Sequence, residues 1–86
     1  MTIFYAKRFL KQYQKAPKYI HESFDERLKL FLENRSHPSL HYHPLHGPFE
    51  GKVSINVTGD WRTIFLEEKN GDLRFFAIGT HSELYK

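Results

Sequence analysis

Between residues 52 and 58 apolar and polar side chains alternate without a slip. Val53, Ile55 and Val57 fall on one side, and Lys52, Ser54, Asn56 and Thr58 on the other. A two-residue period builds a strand with one face on a core, and no helix can use it. Two more strand-like runs follow, residues 61–66 and 73–78. The first is entered through Gly59-Asp60, the second through Lys69-Asn70-Gly71-Asp72. Asn-Gly is a strong hairpin signal because both residues tolerate positive φ. The C-terminal half therefore predicts an antiparallel meander.

Upstream the period changes. Tyr19, Ile20, Phe24, Leu28, Phe31 and Leu32 recur at three- and four-residue steps, with Glu22, Asp25, Glu26, Arg27 and Lys29 largely opposite. Residues 18–34 thus predict an amphipathic helix. Phe9, Leu10 and Tyr13 mark a shorter helix from residue 7, and Pro17 separates the two. A β-prone run, residues 2–5, opens the chain. Residues 35–50 hold three prolines and four of the six histidines and read as a long loop. The order is β-α-α-β-β-β, an α+β fold with two N-terminal helices on one face of a small, mainly antiparallel sheet. On that plan the row Lys52, Ser54, Asn56 and Thr58, joined by Arg62 from the next strand, is expected on an open polar face suited to a phosphate-bearing ligand.

The chain has 86 residues and no repeat or linker, so a single domain spans residues 1–86. It has no cysteine, which excludes disulfide and thiolate chemistry and fits a reducing compartment. No apolar run approaches the roughly 20 residues of a membrane span. Lys7 and Arg8 interrupt any signal-peptide pattern. A soluble, cytoplasmic protein without a membrane partner is expected. The net charge of +3 favours polyanionic partners, and protonated histidines add to it below about pH 6.5. The run Lys7, Arg8, Lys11 and Lys15 reads either as a solvated helix face or as a contact to nucleic-acid phosphates. His41-x-His43-x-x-His46 has zinc-like spacing, but a cysteine-free loop gives no fixed geometry, and no metal site is assigned.

Four segments carry a resemblance. They are His43-Pro44-Leu45-His46-Gly47, Gly51-Lys52, Gly59-Asp60-Trp61-Arg62-Thr63-Ile64-Phe65, and Ile78-Gly79-Thr80-His81-Ser82-Glu83-Leu84-Tyr85. As a set, and in this order, they resemble the RelE/ParE superfamily of bacterial toxins, most closely its YafQ-like branch. The resemblance runs from the first helix to the end of the chain. It implies a RelE-like fold and a metal-free, cofactor-free endoribonuclease that cleaves messenger RNA in the ribosomal A site and is silenced by a cognate antitoxin. It also implies active-site roles for His43, Asp60, His81 and Tyr85. Arg62 matches the arginine of RelE, where the YafQ-like branch has an aliphatic residue. The branch carries a further histidine on the strand before its Asp-Trp pair, and here that position is Asn56.

The chemistry of RNA cleavage fits these residue types. RNA supplies its own nucleophile, the 2′-hydroxyl. The protein must supply a base for that proton, an acid for the 5′-oxygen and a cation for the charged phosphorane. His43 is assigned as base and His81 as acid, an order that can be exchanged, with Arg62 on the phosphate. Lys52 assists Arg62, and Asp60 orients a histidine or serves as an alternative base. Asn56 binds a phosphate oxygen or a base edge but cannot shuttle a proton near neutrality. Tyr85 stacks on a nucleotide or anchors the tail, and Lys7, Arg8 and Lys11 are assigned to RNA. Two other readings stand beside this one: a ParE-like inhibitor of DNA gyrase, and a catalytically weak homologue that binds antitoxin. His43 together with His81 favours the nuclease, and Asn56 favours the weak homologue.

Overall fold

The computed structural model describes residues 1–85. β1 (Ile3–Tyr5) leads into α1 (Lys7–Lys15) and α2 (Lys18–Glu33). Pro17 sits between the helices at the N-cap of α2. β2 (His43–Pro44) and β3 (Val53–Asn56) follow, then β4 (Trp61–Glu67), β5 (Leu73–Thr80) and a last helical turn, α3 (His81–Leu84). The five strands form one sheet in the order β1-β5-β4-β3-β2. β1 runs parallel to β5, and the other pairings are antiparallel. The α+β plan is as expected, and the meander closes through the Asn70-Gly71 turn, where Gly71 has φ +92°. The segment expected as a long loop is more ordered than its prolines suggest. It holds β2 and two 3₁₀ turns, Pro38–Leu40 and Gly47–Phe49.

Both helices cover one sheet face, as their apolar stripes require. Phe9 of α1 and Ile20, Phe24 and Phe31 of α2 pack on Val53, Ile55, Val57, Phe65, Phe75 and Ile78. An aromatic chain ties the layers: Phe24 meets Phe75 at 5.2 Å between centroids, Phe75 meets Phe65 at 5.0 Å, and Phe65 meets Phe31 at 5.1 Å. α1 also seals the part of β5 that β1 does not reach. The Ala6 amide donates to the Phe75 carbonyl at 2.9 Å, and the Ile78 amide donates to Gln12 Oε1 at 2.9 Å. A sheet edge with unpaired amides is thereby closed.

The opposite face is not the open polar surface expected. A second apolar cluster of Leu45, Ile64, Ala77 and Leu84 lies there, flanked by Phe49, Phe76 and Tyr85. Ser54, assigned to the open face, is fully buried. The cover comes from the segment after β2 and from α3. A register shift between Ile64 and Phe65 makes room, because Ile64 pairs with Ala77 while Phe65 pairs with Phe75. Phe76 is the extra residue of that bulge, and it joins Ala77 in the second cluster.

Candidate functional site

The site residues are displayed around the rim of this second cluster. Cross-strand partners share a face, so register fixes their neighbourhood. Asn56 on β3, Arg62 on β4 and Gly79 on β5 form one row. His43 on β2 pairs with Ser54, two positions along β3 from Asn56. Diagonal neighbours of this kind lie about 7–8 Å apart. Arg62 therefore stands between the β2 edge that carries His43 and the β5 end that carries His81.

His81 reaches this face because the chain turns sharply after β5. Thr80 caps α3: its hydroxyl accepts from the Glu83 amide at 3.3 Å, and Glu83 Oε1 accepts from the Thr80 amide at 2.8 Å. This reciprocal pair is a capping box. The helix then folds onto the sheet at Gly79, where an added Cβ would meet Glu83 Oε1 at 3.2 Å and Leu84 Cδ2 at 3.3 Å. The His81 amide donates to the Asp60 carbonyl at 3.0 Å, which ties the β3–β4 turn to the start of α3. Asp60, Arg62, Asn56 and His81 thus gather at one end of the sheet. Arg62 Nη1 donates to the Gly59 carbonyl at 3.1 Å, which aims the guanidinium towards the same turn. No ion pair joins it to Glu67 or Asp72, since Glu67 binds Arg35 and Tyr42 while Asp72 accepts from Thr2 and Asn70.

His43 and His81 are exposed. His43 Nδ1 lies 3.0 Å from the carbonyl oxygen of His41. A carbonyl can only accept, so Nδ1 carries the proton. In the neutral ring this leaves the Nε2 lone pair free to take another. That tautomer suits the base role. Among the described residues no three His, Cys, Asp or Glu side chains are grouped to hold a metal ion, so the His41-His43-His46 spacing does not converge.

Tyr85 is packed rather than free. Its ring sits 4.9 Å from His81 and 6.0 Å, edge-on, from Phe49. Its hydroxyl is buried and no group among the described residues bonds it. The ring itself is half-buried and lies beside His81. Lys52 and Arg8 meet at another aromatic. Lys52 Nζ is 5.0 Å and the Arg8 guanidinium 5.2 Å from the centre of the Phe76 ring. Each is within cation–π range. Arg8 also lines an open cleft of about 520 Å³ with His46, Phe49, Glu83, Leu84 and Tyr85. His43, Asp60, Arg62 and His81 do not line that cleft. Lys7 and Lys11 are exposed on α1, beyond Arg8.

Sequence reading missed Leu45, Phe49, Phe76 and Leu84, the apolar floor that holds these groups. Its one visible sign was Thr80-x-x-Glu83, a helix-start signature that announces a turn folding back over the sheet.

Comparison with known proteins agrees with this architecture. A family model described as bacterial toxin of type II toxin-antitoxin system, YafQ, matches residues 1–86. Curated protein sequences give no match. The crystal structure of YafQ from Escherichia coli strain BL21(DE3) is 27% identical with a TM-score of 0.78, covering 98% of this chain and 97% of that one. YafQ in the E. coli DinJ-YafQ toxin-antitoxin complex is 28% identical with a TM-score of 0.75, covering 98% and 96%. A YoeB/ParE toxin from Agrobacterium tumefaciens shares the fold at 15% identity, with a TM-score of 0.77 and 94% and 99% covered. The chain belongs to the YafQ family of toxins of type II toxin–antitoxin systems.

Proposed function

We propose that this toxin is an endoribonuclease that cuts messenger RNA at the ribosome and is held inactive by a cognate antitoxin. The observation that carries the reading is that His43 and Arg62 share one sheet face while His81 is tied beside it through the Asp60 carbonyl and the Tyr85 ring, both imidazoles open to solvent. Arg62 holds the scissile phosphate. His43 Nε2 takes the 2′-hydroxyl proton, and the 2′-oxygen attacks phosphorus. The bond from phosphorus to the 5′-oxygen breaks as His81 gives that oxygen a proton. The products are a 2′,3′-cyclic phosphate and a 5′-hydroxyl, and no metal enters the balance. Lys52, Arg8, Lys11 and Lys7 extend a basic margin from the site along α1 for flanking phosphates and ribosomal RNA. Asn56, beside Arg62, offers its amide to a phosphate oxygen.

YafQ of E. coli is found with DinJ, a toxin-antitoxin pair. A net charge of +3 and an open cleft lined by Arg8 and aromatic rings suit an acidic antitoxin segment that folds as it binds.

The test is induction in bacteria with RNA ends mapped for wild type, His81→Ala and Arg62→Ala. New ends inside reading frames, lost in both variants, are expected. Arrest with intact transcripts and a DNA-damage response would overturn the reading in favour of gyrase poisoning. No arrest at all would favour a homologue that binds antitoxin without cutting.

A further inference from the structure

β2 is two residues long, sits at the sheet edge and ends in a proline. A ladder that short cannot hold its own register. His43 nevertheless has to be held steady if it is to serve as a base. The segment around it is fixed from both ends. On the C-terminal side Leu45 is buried, and its amide donates to the Lys52 carbonyl at 2.9 Å. On the N-terminal side the anchor is Tyr42.

Tyr42 alternates with His43, so its ring points away from the site and into the main core. It lies nearly parallel to Phe31 at 6.2 Å, with the Arg35 guanidinium 5.3 Å from its centre. Its hydroxyl donates to Glu67 Oε1 at 2.5 Å and accepts from Arg35 Nη2 at 3.0 Å. Arg35 Nη2 closes the triangle on Glu67 at 2.8 Å. Burial, and next the bond to Glu67, raise the Tyr42 pKa above the ordinary tyrosine value, so the hydroxyl remains a donor. Three segments meet in this clasp: the residues after α2, the residue before β2 and the end of β4. Between the clasp and the preceding 3₁₀ turn, His41 adopts a left-handed conformation, φ 47°, and presents its carbonyl to His43 Nδ1.

We propose that the Arg35–Glu67–Tyr42 clasp is a positioning device for His43. By fixing Tyr42 it fixes the His41 carbonyl that selects the His43 tautomer, and so presents Nε2 to the site. Tyr42, Glu67 and Arg35 touch no substrate and act through His43 alone. This role rests on the proposed nuclease chemistry, although the effect on the His43 ring is measurable without it.

Two variants test the clasp with minimal change of shape, Tyr42→Phe and Glu67→Gln. In the purified full chain, nitrogen NMR of the His43 ring is expected to show the Nδ1-protonated form in wild type. Both variants are expected to shift the ring towards a mixture of tautomers. RNA cleavage is expected to lose about 10-fold in kcat with KM unchanged, since small misplacements of a reacting group slow chemistry and spare binding. The double variant is expected to lose no more than either single one, because the two groups share one interaction. If His43→Ala abolishes cleavage while Tyr42→Phe and Glu67→Gln keep wild-type kcat and an unchanged His43 signal, the clasp inference falls and the nuclease reading stands. If the wild-type chain cuts no RNA, the nuclease reading falls, and the His43 tautomer still decides the inference. If one variant does not fold, the other supplies both measurements.

Discussion

Ser54 and Asn56 share a strand face two residues apart, and the site treats them in opposite ways. Ser54 is fully buried, and its Oγ has no hydrogen-bond partner among the described residues. A buried hydroxyl without a partner costs roughly 1–3 kcal/mol. Ser54→Ala is therefore expected to stabilise the fold by about 1 kcal/mol, which raises Tm by roughly 4–8 °C in a domain of this size. A thermal melt measures it, and a lower Tm would mean the hydroxyl is satisfied in solution. Asn56, in contrast, is half-buried and stands directly across from Arg62. The YafQ-like pattern puts a histidine there. Asn56→His adds a third imidazole next to the Arg62 guanidinium proposed to hold the phosphate. Cleavage is expected to rise by about 10- to 100-fold, within reach of a positioned acid or base. An unchanged rate in single-turnover cleavage would show that His43 and His81 already meet the whole demand for proton transfer.

At the scale of elements, the decisive joint is the one between β5 and α3. Gly79 sits tightly there: an added Cβ would stand 3.2 Å from Glu83 Oε1 and 3.3 Å from Leu84 Cδ2, so those side chains would have to give by a few tenths of an ångström. Gly79→Ala is expected to displace the Glu83 carboxylate from the Thr80 amide and loosen α3 on the sheet, with faster hydrogen exchange at the Glu83 and Leu84 amides. Unchanged exchange would show that Glu83 and Leu84 can shift at no cost. The same joint explains what sequence could reveal. α2 declares itself through sixteen residues of stripe, and the β4–β5 hairpin through Asn70-Gly71. α3 has four residues, too few for any period, and only its capping box announces it. β2 is weaker still. It exists because Ser54 and Val53 offer a ladder to His43 and Pro44, and local propensity carries no trace of that pairing. The row Lys52-Ser54-Asn56-Thr58 was legible as a face, but the cover on that side arrives from Leu45 and Leu84, both outside the strand. The site residues were visible as motifs, while their arrangement depended on these two unreadable elements.

For the whole molecule, α1 links the two faces of the sheet. Phe9 enters the main core, Gln12 closes the β5 edge, and Arg8 reaches around that edge to Phe76 on the site face. The helix thereby extends the positive margin of the site with Lys7 and Lys11, both exposed. A solvated helix face and an RNA-binding face differ in how they respond to salt. Each phosphate contact to single-stranded RNA releases counterions, so log Kd varies with log salt by about 0.7 per contact. If both lysines touch phosphate, Lys7→Ala with Lys11→Ala is expected to lower that slope by about 1.4. Fluorescence anisotropy on a labelled oligonucleotide, with the 2′-hydroxyl removed at the cut site to block cleavage, gives the slope directly. The substitutions leave the site face itself intact, so kcat at saturating RNA is expected to hold while KM rises. An unchanged slope would confine RNA recognition to the sheet face and leave the charges of α1 as a solvated surface.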